Sequence, residues 1–258
     1  LQFPLPQDSL HPTFNALDRE LNGPEVGSEG DDFQLRVINS LWGQIDFEIK
    51  AEFLDLIARS YGAGLRLVDF IDPANREQAR LAINQWASDQ TEGKIEDLVP
   101  DNILSNLTRL VLANAIYFNA KWDRPFLSGT KDDEFNLLGG DRVTVQMMSR
   151  RASTNYAQGQ GYQAVELAYK GGGAQMIVLL PDQGRFEDIE SSLGKELMEE
   201  ILQGFASTDV KLFMPKFEYE ASLVLAATLA GMGMPDAFEP QKADFTGIMV
   251  HPTPRLYI

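Results

Sequence analysis

The 258-residue sequence contains no cysteine. That single absence removes disulfides, thiolate zinc sites and cysteine nucleophiles together, while leaving the compartment open, because a protein of this size folds without bridges. Histidine is almost as scarce: only His11 and His251 occur, each near a chain end. A histidine dyad or metal cluster therefore has almost no raw material. Positive charge is in short supply too, 22 Lys+Arg against 38 Asp+Glu, for a net −16. Such a balance disfavours a nucleic-acid backbone or an anionic membrane surface as partner. No apolar run reaches the roughly 18 residues that span a bilayer. The opening Leu1-Gln-Phe-Pro-Leu-Pro6 has neither the basic start nor the long apolar stretch of a secretory signal.

What is present belongs to a core-forming chain: 44% hydrophobic and 23% charged residues, against wholesale disorder. The length suits one large domain or two small ones, either able to bury a sizeable core. Leu10, Phe14, Leu17 and Leu21 form one apolar helical stripe, followed by a Gly- and acid-rich loop over residues 22–32. Phe33 to Trp42 reads as a strand growing more buried towards its end. Lys50 to Tyr61 carries Phe53, Leu54, Ile57 and Tyr61 on one face and stops at Gly62. Residues 65–70 form a short strand. Asp72-Pro73 is a helix start, since Asp caps and Pro suits the first turn.

Thr108 to Phe118 is nearly continuous apolar sequence, the composition of a strand covered on both faces. Asn114 in its middle needs designated partners, because a buried unpaired amide costs about 1–3 kcal/mol. From Asp141 the pattern is mainly β. Tyr162–Tyr169 and Gln175–Leu180, joined by Gly171-Gly-Gly173, read as a hairpin. Phe186 to Leu202 reads as an acidic helix, Val210 to Met214 as a strand and Ser222 to Gly231 as a short helix. The mixed order places the chain in the α+β class, with large antiparallel or mixed sheets.

Catalytic constellations are missing. Neither a P-loop nor a G-x-S-x-G elbow occurs. Ser128-Gly-Thr-Lys131 and Ser192-Leu-Gly-Lys195 match S-x-x-K without the companion motifs that give it meaning. The acid clusters Asp31-Asp32 and Asp132-Asp-Glu134 lack EF-hand spacing and read as solvated loops. Asn106-Leu-Thr108 is a glycosylation sequon in form, but it enters the apolar strand, where a glycan would not fit.

The apolar strand carries the specific signal. Asn114-Ala-Ile-Tyr-Phe-Asn-Ala-Lys-Trp-Asp-Arg-Pro-Phe126 closely resembles the serpin signature N-A-[IL]-Y-F-x-[GA]-x-W-x-x-P-F. Further blocks agree in order: Asn39-Ser-Leu-Trp42, Ile83-Asn-Gln-Trp86 with Gln90 to Ile95, Val145-Gln-Met-Met148, Glu166-Leu-Ala-Tyr169, Met176 to Asp182, Met214-Pro-Lys-Phe217, Leu229 to Phe238, and Ala243 to Ile248. The resemblance spans nearly the whole chain. It implies a single domain of serpin-like fold over residues 1–258, one large central sheet and two smaller ones wrapped by helices. It also implies a suicide-substrate inhibitor of a protease, serine-type or else cysteine-type, whose cleaved loop inserts as a new strand into the large sheet. The active form is then held kinetically. A non-inhibitory serpin, working as a carrier or chaperone-like binder, is the alternative.

By resemblance, Asn114 and Phe118 fall in the shutter, where central strands part, and Trp122 at the breach, where the loop enters. A satisfied core amide and a core aromatic are the plainer readings. Lys216 resembles the lysine that pairs with a glutamate at the base of the loop. No cofactor is implied. Heparin-type activation is not expected, because the stretch around residues 9–21 has Arg19 alone against Asp18 and Glu20. The resemblance favours an extracellular or periplasmic location. Against the family pattern, the sequence starts near the third helix and stops where the fifth strand of the large sheet would be entered. The expectation is that the gene product continues past Ile258 with an acidic hinge and an Ala/Thr-rich loop, and that this stretch does not fold alone. The reactive site is therefore placed outside these residues.

Overall fold

The computed structural model describes residues 3, 5–23, 32–126, 128–171, 173–219 and 225–250. His251, Asp31 and Ser222, each used in the sequence reading, lie outside the described residues, as does most of the acidic loop before Asp32. The chain divides into two compact units, and each is described by itself.

The first unit draws on Leu1–Pro24, Leu35–Phe118 and Ser222–Ile258. The apolar stripe of helix α1 (Gln7–Leu21) sets Phe14 against Tyr61 at the end of helix α2 (Ala51–Tyr61), rings 6.3 Å apart. His11 Nδ1 lies 2.8 Å from the Tyr61 hydroxyl. Gly62 ends α2 in the left-handed conformation, φ +60°, where a side chain would be strained. Strands β1 (Phe33–Gln44), β2 (Leu65–Val68) and β3 (Leu110–Ala120) form a sheet in the order β2-β1-β3. The β1–β2 pair is parallel, Leu41 opposite Leu65.

Helix α3 (Pro73–Gln90) packs on this sheet. Asp72 caps it as the sequence predicts, its carboxylate accepting from the N–H groups of Ala74 and Asn75 at 2.9 and 3.0 Å. Ala79, Ile83, Trp86 and Ala87 of α3 close a core with Trp42, Phe70, Ala113 and Ala115. Two buried amides hold the connections. Gln44 accepts from the Phe70 N–H at 2.6 Å and donates to Asp69 at 3.1 Å. Asn84 accepts from the Val99 N–H and donates to the Val99 carbonyl and to Asp97.

Strand β3 departs from expectation. Ala113, Ala115 and Tyr117 are buried against the core. The alternate residues Leu112 (69% exposed), Ile116 (58%), Phe118 (45%) and Asn114 face outward. The continuous apolar run implies cover on both faces. Among the described residues α3 supplies cover on one only. The sequon is corrected as well: Asn106 sits in an exposed turn before β3, closed by the Thr108 N–H to Ser105 O bond of 3.1 Å.

The second unit comprises Glu25–Gln34 and Asn119–Ala221. It is built on an antiparallel sheet of β4 (Ser128–Asn136), β5 (Arg142–Gly159), β6 (Tyr162–Ala168) and β7 (Gln175–Pro181) in that order, with β8 (Ala206–Pro215) also paired to β5. Eighteen-residue β5 changes partners along its length: β4 at its start, β8 from Met147 to Tyr156, and β6 from Tyr156 to Gly159. The expected hairpin forms, Tyr162 opposite Pro181 and Ala168 opposite Gln175. Asp132-Asp-Glu134, read as a loop, lies in edge strand β4, where the charged side chains stay solvated and blunt the edge against pairing with other chains. Phe186–Leu202 is two helices, α4 (Phe186–Ser191) and α5 (Lys195–Gly204), broken at Ser192-Leu-Gly194. Ala157, Tyr162, Ala164, Ile189 and Ile201 close one core of this unit. Val165, Leu167 and Met214 form another, with Trp122, Phe126, Met148 and Met176 against it.

Candidate functional site

Just beyond the end of β3 the chain turns into the aromatic cluster around Trp122. The indole stacks on Tyr169, centroids 4.6 Å apart and planes 12° from parallel. Phe126 meets it edge-on at 6.4 Å. Backbone pairing fixes the stack: Trp122 and Tyr169 form an antiparallel bridge, Asp123 N–H donates to Ala168 O at 3.0 Å, and Lys170 N–H donates to Lys121 O at 2.8 Å. The indole forms one wall of an open cleft of about 630 Å³, with Val145, Met148, Met176, Met214 and Lys216 among its other walls. Its two aromatics, Trp122 and Phe217, and three flexible thioethers suit an irregular apolar guest.

Lys216 reaches this cleft from the end of β8. Its N–H donates to Gln146 O at 2.8 Å, which continues the β5–β8 ladder by one residue. The side chain is exposed and, among the described residues, makes no ion pair. Lys216 and Glu218 both line the cleft, and the Lys216 ammonium is the group there that could hold an acidic side chain.

Asp32, the residue before β1, supports the cluster. Its carboxylate takes Lys121 Nζ at 2.5 Å and also Lys170 Nζ, and its carbonyl accepts from the Lys121 N–H at 2.8 Å. The two ammonium groups hold the Asp32 carboxyl at about 2, below its usual 3.8. Lys121 and Lys170 flank Trp122 and Tyr169 in sequence, so this triad fixes the two strands that carry the stack.

Asn114 and Phe118 stand on one face of β3. The Asn114 amide donates to Asn39 Oδ1 at 2.9 Å and to Ile38 O at 3.3 Å, both on β1. It is thus partnered as expected, but exposed rather than buried. At the far end of α3, Glu92 accepts from Arg36 and from the Tyr117 hydroxyl, each at 2.9 Å, at a positive φ of +53° unusual for glutamate. It thereby ties the end of the helix to β1 and β3.

The structure therefore gathers Trp122 and Lys216 around one cleft and Asn114 and Phe118 on one strand face, in separate units. Sequence reasoning missed Asn39 as the partner of Asn114, Tyr169 as the platform for Trp122, and Asp32 with its lysines. Asn39 and Tyr169 lie inside the quoted family blocks, so the blocks were the available signal. Among the described residues, no group of three or more His, Asp or Glu could hold a metal, and no helix is long and apolar enough to cross a membrane.

Comparison with known proteins gives a consistent result. The model of the serpin (serine protease inhibitor) family matches residues 1–258. An uncharacterised serpin-like protein of Thermococcus kodakarensis is 37% identical over 249 residues, covering 96% of this chain and 56% of the relative. The leukocyte elastase inhibitor of Xenopus tropicalis is 36% identical over 247 residues, covering 93% and 64%. Among solved structures, emu ovalbumin superposes with a TM-score of 0.84 at 27% identity, covering 92% of this chain and 61% of that one. The cleaved form of Serpin 42Da gives 0.85 at 28%, covering 96% and 64%. The chain thus spans somewhat over half the length of these proteins.

Proposed function

This chain belongs to the serpin family, and from that premise we propose that it is part of a serine protease inhibitor acting as a suicide substrate, by insertion of its own cleaved loop into the sheet that contains β3. The observation that carries this reading is the edge of β3. In the order β2-β1-β3, β3 is the last strand of the sheet among the described residues. An open strand edge offers a row of N–H and C=O groups to an incoming strand. The aromatic and methionine walls offer apolar surface to the first residues that arrive.

In this mechanism Trp122 stands where the loop enters. Lys216, at the rim, attracts an acidic residue at the loop's base and biases when insertion begins. The Asn114 amide exchanges its partners on β1 as the sheet accommodates the extra strand, and Phe118 shares that face. The inhibitor performs no bond chemistry of its own. The protease cleaves the loop, and the new strand pairing supplies the driving force that traps the acyl-enzyme.

Several relatives are named leukocyte elastase inhibitors, which makes elastase-like enzymes the first targets to test. The full-length protein is incubated with elastase-, chymotrypsin- and trypsin-like serine proteases, and with a papain-like cysteine protease. A complex resistant to SDS, with matching loss of protease activity, is the expected result. Cleavage of the protein with no loss of protease activity would overturn the inhibitory reading in favour of a carrier or chaperone-like serpin.

A further inference from the structure

Unit two contains a second, polar cavity of about 210 Å³, whose walls include Asp123, Arg124, Arg150, Ser153, Asn155 and Glu166. Its two arginines are held by backbone rather than by acids. Arg150 donates to the carbonyl of Arg124, and Arg124 Nη1 donates to Ser153 O at 2.9 Å. The Arg150 guanidinium lies over the Phe126 ring, 5.2 Å from its centroid. Among the described residues no carboxylate comes within 4 Å of Arg150. Arg124 has only its neighbour Asp123, at 3.9 Å. Glu166, the other acid in the wall, is engaged by the Asn155 amide at 3.1 Å. Partial burial of Arg150 and then the nearby Arg124 charge pull the Arg150 pKa down, and the Asp123 charge opposes them.

Two guanidinium groups share this cavity, one of them half-buried, and the acid beside them, Asp123, lies 3.9 Å from Arg124 and beyond 4 Å from Arg150, so a carboxylate bound between them would complete the arrangement. The fixed fork of an arginine matches the two oxygens of a carboxylate. Stacking on Phe126 fixes the plane of that fork. The hydroxyls of Ser153 and Ser207, 2.9 Å apart, offer further hydrogen-bonding groups on the wall, and the cavity has the volume of several waters. We propose that this cavity is a carboxylate-binding site, with Arg150 and Arg124 as its recognition pair. The carboxylate comes either from a free small acid or from an Asp or Glu side chain of the full-length protein. The proposal stands independently of the inhibitory mechanism.

The test uses full-length protein, wild type, Arg150→Gln and Arg150→Lys. The melting temperature is followed as sodium acetate replaces sodium chloride at constant ionic strength. A free carboxylate site gives a rise of about 2–4 °C at saturation in the wild type, retained in part by R150K and abolished in R150Q. A site filled by the protein's own carboxylate gives no acetate response. R150Q is then less stable than wild type in urea at pH 7, and the gap, constant above about pH 5, narrows as pH falls below about 4 and the bound carboxyl protonates. Asp123 and Glu166 stand in the same wall, so Asp123→Asn and Glu166→Gln backgrounds are run in parallel, and the narrowing must survive in both. No acetate response together with a pH-independent R150Q effect would mean that Arg150 is only a packing group on Phe126, and would overturn the proposal.

Discussion

The Asn114 side chain bridges two strands: its amide donates to Asn39 Oδ1 at 2.9 Å and to Ile38 O at 3.3 Å, tying β3 to β1 on the exposed face of the sheet. Both partners are acceptors, so the pair depends on Asn114 being a donor. Asn114→Ala is expected to cost about 0.5–1 kcal/mol, the low end for a neutral hydrogen bond, because water can replace the lost partner at this exposed position. Asn114→Asp should cost more, since a carboxylate would face two acceptors with nothing to donate. Urea unfolding of the full-length variants checks the order. An aspartate variant as stable as the alanine variant would show that the two bonds do not govern this position.

Trp122 is only partly exposed, whereas Trp42 and Trp86 are 4% and 6% exposed. Trp122→Phe retains an aromatic face for Tyr169 and should cost less than about 2 kcal/mol, compared with the roughly 3–5 kcal/mol of truncating a buried tryptophan to alanine. Its emission is the test. The fluorescence lost in the variant, read as a difference spectrum, should lie to the red of the Trp42 and Trp86 emission. A difference spectrum to the blue would place Trp122 in a closed core instead of on the wall of a cleft.

Much of this architecture was legible locally. Asp72-Pro73 announces α3 because capping acts over two or three residues. The hairpin of Tyr162–Ala168 with Gln175–Pro181 shows in its own strands and turn. Most of what was not legible depends on distant chain. Apolar periodicity shows that both faces of β3 are apolar, but not which face α3 covers. Asn114 finds its partner 75 positions earlier, and Lys170 finds Asp32 138 positions earlier. Two local misreadings were different. Asp132-Asp-Glu134 looks like a loop because charged residues are poor strand formers, yet edge strand β4 tolerates them. The break between α4 and α5 at Ser192-Leu-Gly194 went unread because one Gly can be tolerated inside a helix pattern.

The Asp32 triad gives a pH dependence of known sign. The Asp32 carboxyl is lowered from 3.8 to about 2, first by its hydrogen bonds to Lys121 and Lys170. A depressed carboxyl pKa stabilises the folded state above the unfolded pKa, and that contribution is lost as pH falls through the folded value. The stability gap between wild type and Asp32→Asn should therefore be constant from pH 5 to pH 7. It should close between about pH 4 and pH 2. A gap that persisted at pH 2, or closed already at pH 6, would assign the interaction to some other group. Added salt should shrink the gap as well, because both lysines are exposed.

Lys216 separates stability from function. It is exposed and, among the described residues, has no ion-pair partner, so Lys216→Ala should change the unfolding free energy by no more than about 0.5 kcal/mol. A rim charge that attracts an incoming acidic residue would nevertheless alter how the loop enters. In the full-length protein, Lys216→Ala should slow formation of the SDS-resistant complex, or divert more of the protein into plain cleavage, at unchanged stability. Lys216→Glu should do so more strongly. Because Lys216 and Trp122 border the same cleft, a double variant with Trp122→Phe tests whether they act on the same event. Effects on the rate that fall short of the sum of the single changes would mean that charge and aromatic wall serve one step of entry. Strict additivity would mean that they act on separate steps, and the cleft would then not be a single entry site.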